Sequence, residues 1–285
     1  MMIVGVTIVR NARLLDYPIL AAIQSVLPLV NRFVVNVGVS RDDTWEWLGA
    51  ELTDPRIELL HRKWDDSLGG AMLAAETQHA MSLLPADWTV YVQADEVLHE
   101  DGSAAVRDAM ARWRNDPSTE GLLVDFVHHY GDCDTVATSR IWYRREVRVV
   151  RGGTSFGPRS YHEAQGFRVG QDHRRVWARA TGATYHHYGW TRPIEAINRK
   201  LALDYDIYGR TPAAKLQTLP WEYGLRRFGG SHPRAIRTWL DRRRGIHPAV
   251  RPPRWTRRQL RLLASDVIER TTGKRLFEYR NYELV

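Results

Sequence analysis

The chain has 285 residues, of which 44% are apolar and 26% are charged, and this balance excludes a disordered chain, a coiled coil and a collagen-like fibre. The net charge is +8, and only four of the 41 basic residues are lysine. The single cysteine, Cys133, excludes an internal disulfide and a cysteine-based zinc site, and it favours a reducing, cytoplasmic location.

The first 115 residues alternate between short β-branched runs and segments with the apolar spacing of a helix. Predicted strands cover residues 3–9, 33–37, 57–60 and 88–93, and predicted helices cover residues 14–27, 70–84 and 101–114. This alternation is typical of βαβ units, so we expect an α/β fold with a mostly parallel, Rossmann-like sheet flanked by helices. Ligands of such sheets bind at the carboxyl ends of the strands. Those ends carry the pairs Arg10-Asn11, Asp42-Asp43 and Asp95-Glu96.

The second half is less regular. Predicted strands cover residues 121–127 and 140–150, and predicted helices cover residues 193–208 and 255–271. Between them lie two histidine doublets, His128-His129 and His186-His187, and the sequence Tyr161-His162-Glu163. We interpret the first doublet as structural. An imidazole of the second doublet could be a metal ligand or a phosphate donor, or a structural group among its aromatic neighbours.

The main chemical signal is the sequence Gln93-Ala94-Asp95-Glu96 at the end of an apolar strand. A carboxylate buried at such a point is costly unless it is paired or bound to a cation. Mg²⁺ and Mn²⁺ are often held by one or two carboxylates together with phosphate oxygens of a substrate. The alternative is that Asp95 and Glu96 are only the first acids of a loop.

Four features occur in a fixed order along the first half. They are Arg10-Asn11 after the first strand, the turn Gly38-Val39-Ser40-Arg41-Asp42-Asp43-Thr44 after the second, Gly69-Gly70 before a helix, and the segment that ends in Asp95-Glu96. The ordered set resembles the nucleotide-sugar half of family 2-like glycosyltransferases with the GT-A fold, of bacterial and phage type. The segment His187-Tyr188-Gly189-Trp190 is similar to one found in many bacterial relatives.

The resemblance implies a GT-A-like catalytic domain over residues 1–210, with a nucleotide-sugar half (1–115) and an acceptor half (116–210), and a basic, mostly helical extension over residues 211–285. It implies a Mn²⁺ or Mg²⁺ ion at Asp95, and we expect Glu96 and His187 to be further ligands of that ion. It also implies that Asn11 and Asp43 lie near the nucleoside and that Asp95 lies at the diphosphate. We expect further contacts with the nucleotide-sugar from Arg10, Gly70 and Gln93. Gln93 departs from the family pattern, which has an acid at this position.

An inverting sugar transfer needs a base that removes the proton of the acceptor hydroxyl. Our candidate is Glu163, because relatives place an acidic base in the second half and because Tyr161 and His162 could hold a sugar ring. Asp132 and Asp134 are weaker candidates, and the alternative for Glu163 is an ordinary loop residue on the surface.

The positive charge is concentrated near the C-terminus. Residues 226–275 carry a net charge of +12 and the remaining residues −4. In a helix, four arginines would share one face: Arg254, Arg257, Arg258 and Arg261. This pattern indicates contact with an anionic acceptor or surface, such as a nucleic acid, a lipid-linked glycan, a membrane or an acidic protein; a solvated arginine-rich face is the alternative.

No run reaches the ~20 apolar residues that span a bilayer, and the N-terminus lacks the pattern of a signal peptide, so we expect a soluble protein with, at most, peripheral membrane contact. The leading hypothesis is a metal-assisted, inverting glycosyltransferase that moves a hexosyl or pentosyl group from a nucleotide-diphosphate sugar to a hydroxyl acceptor. A nucleotidyltransferase is disfavoured because no glycine-rich loop follows the first strand. A nucleic-acid-binding or nucleic-acid-modifying protein is disfavoured because no helix-turn-helix, zinc or RNP signature is present.

Overall fold

The computed structural model describes residues 1–152, 157–208 and 214–285, in which thirteen strands form one sheet. The strands are β1 (Ile3–Val9), β2 (Arg32–Gly38), β3 (Ile57–Arg62), β4 (Trp88–Tyr91), β5 (Glu96–Leu98), β6 (Gly121–Tyr130), β7 (Asp132–Ala137), β8 (Arg145–Arg151), β9 (Arg159–Tyr161), β10 (Gly166–Val169), β11 (Arg174–Trp190), β12 (Leu225–Arg227) and β13 (Tyr282–Leu284). The helices are α1 (Ile19–Val26), α2 (Thr44–Glu51), α3 (Ala71–Ser82), α4 (Ser103–Arg112), α5 (Ile194–Tyr208), α6 (Arg237–Asp241) and α7 (Arg257–Thr272).

The central strands follow the order β3-β2-β1-β4-β8-β6-β11. All of them run in the same direction except β8, which is antiparallel to both of its neighbours. The predicted α/β class with a mostly parallel sheet flanked by helices is therefore confirmed. β8 is the exception. The chain reverses direction in the β6–β7 hairpin, and β8, which follows β7, also runs antiparallel to β6.

Both faces of β1, β2 and β4 are buried, which explains their continuous apolar runs. Along β2, Phe33 and Val35 pack with α1 and α4 in one core cluster, whereas Val34 faces α3 in a second cluster. This alternation follows from the period of two residues in a strand. It places helices on both sides of the sheet and leaves its carboxyl edge open for a site.

The predicted helix over residues 14–27 is shorter in the structure. α1 begins only at Ile19, because Asn11 and Asp16 adopt positive φ angles and Pro18 precedes the helix. The structure also contains α2, which the sequence analysis did not predict.

The C-terminal segment differs from the predicted, mostly helical extension. Its described residues contain α6 and α7, but also β12, which pairs with β7, and β13, which pairs with β11. Strands at the edge of a sheet have unpaired backbone groups that further strands can satisfy. β12 and β13 are therefore part of the same sheet as β1 to β11.

No helix in the described part of the chain is long and apolar enough to cross a membrane.

Candidate active site

A cavity of about 540 Å³ lies at the carboxyl ends of β1 and β4. Its other walls come from β6, β11, α5 and the loop that contains Glu163. Seven aromatic side chains line it: Tyr17, Trp64, Tyr91, Trp142, Tyr143, Trp190 and Tyr205. This position agrees with the expectation that ligands bind outside the strand ends, and the volume is in the range of small-molecule sites.

Asp95 is the buried carboxylate of the cavity wall. It follows β4, its side chain is 7% exposed, and its carbonyl oxygen accepts the N–H of Tyr188 at 2.8 Å. That backbone bond connects the end of β4 to β11. As a result, Oδ2 of Asp95 lies 3.7 Å from Nε2 of His187.

The orientation of His187 is set by the neighbouring strand. His128, its partner in the β6–β11 register, directs Nε2 at the carbonyl oxygen of Tyr143 at 2.8 Å. A carbonyl only accepts hydrogen bonds, so this nitrogen carries the proton, and Nδ1 of the neutral ring is left as an acceptor. Nδ1 of His187 lies 3.2 Å away and therefore donates to it. Hydrogen bonding thus places a proton of His187 on Nδ1 and turns Nε2 toward Asp95.

Gly189 keeps the space beside these two groups open. A Cβ at this position would lie 2.6 Å from Nε2 of His187 and 2.9 Å from Oδ2 of Asp95, both closer than real contacts allow. The residues present therefore fit a divalent ion: one carboxylate oxygen, one imidazole nitrogen that faces it, and a glycine where any side chain would intrude.

Positive side chains surround Asp95. Burial acts to raise its pKa, but interactions with His187, Lys200 and Arg192 outweigh burial and hold the pKa well below the usual range. Arg192 is fixed by hydrogen bonds to the carbonyl oxygens of Leu15 at 2.7 Å and Gly189 at 2.9 Å. Lys200 lines the cavity from α5. Asp95 is therefore ionised at neutral pH.

Glu96 is not on the cavity wall, which corrects the prediction that it is a metal ligand. Its two oxygens accept hydrogen bonds from Arg148, at 2.8 Å from Nε and 2.7 Å from Nη2. Both side chains are fully buried. Because the guanidinium group already occupies both carboxylate oxygens, we leave Glu96 out of the candidate metal site.

Three other predicted nucleotide-sugar residues line the cavity. Arg10 donates to Asp66 at 2.7 Å and lies over the ring of Trp64, with 5.4 Å between its Cζ and the ring centroid. The side-chain oxygen of Asn11 accepts the N–H of Arg41 at 2.6 Å, which joins the loops that follow β1 and β2. Gln93 donates to the carbonyl oxygen of Ala164 at 3.0 Å.

Asp43 and Gly70 do not line the cavity, which corrects their predicted contact with the nucleotide-sugar. The Asp43 side chain is 58% exposed and forms an ion pair with Arg13. Gly70 is the N-cap residue of α3. The turn after β2 is held by the neighbouring Asp42. Its carboxylate accepts the N–H groups of Thr44 and Leu14 and thereby orders the start of α2.

Glu163 lies at the cavity as an exposed residue. Its loop is tied to the centre of the protein by the bond from Gln93 to Ala164 and by a bond from Arg148 to the carbonyl oxygen of Gln165 at 3.0 Å. Asp132 and Asp134, the weaker candidates for the base, do not line the cavity.

The arginine cluster lies away from the cavity and does not form the single helical face that we predicted. α7 begins at Arg257 after its N-cap Thr256, so Arg254 precedes the helix. Arg258 is exposed but pairs with the buried Glu222 at 3.1 Å. Arg257 and Arg261 remain exposed beside Leu260, whose exposed fraction is 52%.

Sequence reasoning missed Lys200, Arg192 and the role of Gly189. Lys200 is one of only four lysines in an arginine-rich chain, and that rarity was the available signal. Nothing local marked Arg192, because its partners Leu15 and Gly189 become neighbours only in the fold.

Neither a family model nor a curated protein matches the chain. TarS of S. aureus is 14% identical over 45% of this chain and 36% of its own, with a TM-score of 0.35, and has also been solved with UDP-GlcNAc. Glucosyl-3-phosphoglycerate synthase of Mycobacterium tuberculosis, solved with Mn²⁺, UDP and glucosyl-3-phosphoglycerate, is 16% identical over 45% of this chain and 44% of its own, with a TM-score of 0.30. These neighbours are GT-A-type glycosyltransferases, and this chain spans less than half of their length. With TM-scores this low, the likeness by itself decides nothing about the activity of this chain.

Proposed function

We propose that the chain is a metal-assisted glycosyltransferase that moves a sugar from a nucleoside-diphosphate donor to a hydroxyl acceptor. The observation that carries the proposal is the pairing of Oδ2 of Asp95 with Nε2 of His187, 3.7 Å apart on the cavity wall. A nitrogen lone pair that faces a buried carboxylate is stable only with a proton or a cation between them. The cavity of about 540 Å³ provides the space for a donor beside that cation.

Asp95 and His187 would hold the ion. Carboxylate and imidazole together suit Mn²⁺ better than Mg²⁺, because Mg²⁺ prefers an all-oxygen shell. When bound, such an ion neutralises the charge that develops on a diphosphate leaving group.

The remaining donor contacts come from side chains around the same cavity. Lys200 lines the cavity near Asp95, and Arg10 lines it at the end of β1. Both side chains are positively charged, so they would bind the negatively charged diphosphate. The Trp64 ring forms an apolar wall beside Arg10 and is held by a hydrogen bond from its Nε1 to Asn36 at 3.3 Å. Asn11 contributes by fixing the loop between β1 and α1 rather than by offering its side-chain oxygen, which Arg41 already uses.

Glu163 is our proposed base for the acceptor hydroxyl. Its support is its place at the cavity, on a loop that Gln93 ties to the segment between β4 and β5, which carries Asp95. A base in this position takes the acceptor proton as the bond between the sugar and the diphosphate breaks, which corresponds to inversion.

The deciding experiment measures nucleotide binding by calorimetry, with UDP, GDP, CDP and dTDP each tested with and without Mn²⁺. We expect one nucleotide to bind the wild type only with the ion. Asp95→Asn keeps the size of the side chain but removes its charge, so it should weaken that binding by about 100-fold or more. The matched control is Asp43→Asn, which removes an exposed carboxylate outside the cavity. Equal affinity of Asp95→Asn and wild type for every nucleotide would contradict the proposal.

The role of Glu163 is tested separately, once a donor is known. Glu163→Gln should lower kcat for transfer by ~10²–10⁴-fold and leave the donor affinity unchanged, because the base acts in the transition state. Asp132→Asn serves as the control, since Asp132 lies outside the cavity. A loss in kcat of only a few-fold would remove Glu163 from this role.

We also propose that the exposed basic surface formed by Arg254, Arg257 and Arg261 engages an anionic acceptor or the surface that carries it. Support comes from the exposed apolar residues next to these arginines, Trp255 and Leu260, with exposed fractions of 53% and 52%. Arginine beside exposed apolar side chains suits a phosphate-bearing surface. Reversing the three charges to Glu should leave donor binding intact and weaken acceptor binding, most strongly at low salt.

A further inference from the structure

The two histidine doublets lie on adjacent parallel strands, β6 and β11. Because neighbouring residues of a strand point to opposite faces, each doublet sends one ring to each side of the sheet. His128 and His187 face the cavity. His129 and His186 meet on the other side, where Nε2 of His129 lies 3.0 Å from Nδ1 of His186.

A third imidazole joins the pair on this second face. His232 lies between β12 and α6, and one nitrogen from each of His129, His186 and His232 lies within 4.8 Å of the other two. His129 and His186 are 0% and 3% exposed. Three histidines from two strands and a loop therefore converge on one buried point that the proposed sugar transfer does not use.

The surroundings hold these rings in place. Tyr188 stacks on His129 with 4.6 Å between ring centroids, and its hydroxyl lies 2.9 Å from Nδ1 of His232. Oδ1 of Asp134 lies 3.7 Å from Nε2 of His232. The hydroxyl contact therefore holds the His232 ring against Tyr188, and the carboxylate lies at ion-pair distance from the other ring nitrogen.

The two buried rings already face each other with ligand atoms. Nε2 of His129 and Nδ1 of His186 lie at hydrogen-bond distance, so one of these two nitrogens carries a proton. A metal ion that binds both nitrogens takes the place of that proton.

We propose that His129, His186 and His232 bind one Zn²⁺ ion at a second metal site, separate from Asp95 and His187. Three neutral imidazoles match the ligand preference of zinc and leave a fourth tetrahedral position for water. With zinc–nitrogen bonds of about 2.0–2.1 Å, tetrahedral ligand nitrogens lie about 3.3 Å apart, so the cluster needs only side-chain adjustments to close around the ion. The ion ties the loop that carries His232 to β6 and β11, and we expect zinc to stabilise the folded chain.

The test uses the full chain, freed of metal with a chelator, with the Asp95→Asn substitution present in every protein so that the cavity site does not contribute. Zinc binding is measured by calorimetry, and Co²⁺ serves as a spectroscopic substitute whose visible absorption reports tetrahedral coordination. Three proteins are compared: the Asp95→Asn parent, the parent with His232→Ala, and the parent with His247→Ala. His247 is an exposed histidine outside the cluster and controls for adventitious binding.

We expect the parent and the His247→Ala protein to bind one zinc ion with equal affinity and with a tetrahedral Co²⁺ spectrum. His232→Ala should bind zinc at least about 100-fold more weakly and lose the rise in Tm on zinc addition. If His232→Ala does not fold, His232→Gln, which retains a polar side chain of similar size, takes its place. The proposal is overturned if the parent binds no zinc, if removal of His232 leaves the affinity unchanged, or if His247→Ala weakens binding as much.

Discussion

Asp95 and Glu96 are neighbours in the chain, yet the two regions to which they belong hold a buried negative charge in different ways. The region behind the cavity wall is closed: Glu96 and Arg148 are both fully buried and joined by two hydrogen bonds. The region of the cavity wall is open: His187 faces Asp95 at 3.7 Å, and Gly189 leaves space beside both. The fold satisfies the charge of Glu96, whereas in our proposal the charge of Asp95 is met by a bound metal ion. Adjacent residues thus differ in whether the protein itself supplies the partner of a buried charge.

We expect the largest loss of stability when the cation of the closed region, Arg148, is removed. Arg148→Met leaves the buried charge of Glu96 without its cation, and we expect it to lower the free energy of unfolding by about 3–5 kcal/mol, measured by urea denaturation. The double variant Arg148→Met with Glu96→Gln, which removes both charges, should recover part of that loss. A loss below about 1 kcal/mol would mean that the pair does not carry the stability of this region.

Glu146 gives a second, pH-dependent test of the closed region. It is 1% exposed on β8, and its carboxylate accepts the N–H of Val147 at 2.9 Å. Burial raises its pKa to about 7, with a further rise from Glu96, although Arg148 and Arg168 oppose the shift. Because the pKa is higher in the folded chain than the ordinary value of 4.5, the stabilisation from this group is complete below about pH 4.5 and is lost as the pH rises through 7.

Glu146→Gln should therefore remove part of the alkaline loss of stability. Relative to wild type, we expect a gain of up to about 3 kcal/mol at pH 8.5 that is absent at pH 4.5, measured by urea denaturation at both pH values. Comparing the two proteins at each pH cancels the titration of every other group. The same difference at both pH values would show that Glu146 does not titrate in this range.

The open region is tested by filling its space. In Gly189→Ala the new Cβ would lie 2.6 Å from Nε2 of His187, so we expect Mn²⁺ affinity, measured by calorimetry, to fall by about 100-fold. Gly49→Ala is the control, because a Cβ at Gly49 meets nothing within 4 Å. Affinity within three-fold of wild type in Gly189→Ala would place the ion elsewhere.

Several parts of the site could be predicted from the sequence. Asn11, Gln93, Asp95 and His187 all line the cavity, since three of them follow strands whose direction and carboxyl ends are encoded in local periodicity. Glu163 lies there too. The predicted contact of Asp43 and Gly70 with the nucleotide-sugar was wrong. A turn motif predicts the local path of the chain, but it does not predict which side of the loop faces the cavity.

Glu96 shows why adjacent acids cannot be assigned from sequence alone. Its partner Arg148 comes 52 residues later on β8, the one central strand that runs against the others. Local pattern contains no information on such a pairing. The histidine doublets behave in the same way: only the register between β6 and β11 decides that His128 orients His187 while His129 meets His186.

The sequence by itself determined the alternation of strands and helices, the common direction of the N-terminal strands, and the polar residues at their carboxyl ends, because each of these depends on periodicity within a few residues. The tertiary structure decided which buried charge is paired and which is open, how Lys200 and Arg192 reach Asp95, and how the C-terminal strands join the main sheet. Those outcomes depend on strand order and register, which arise from contacts between segments far apart in the chain.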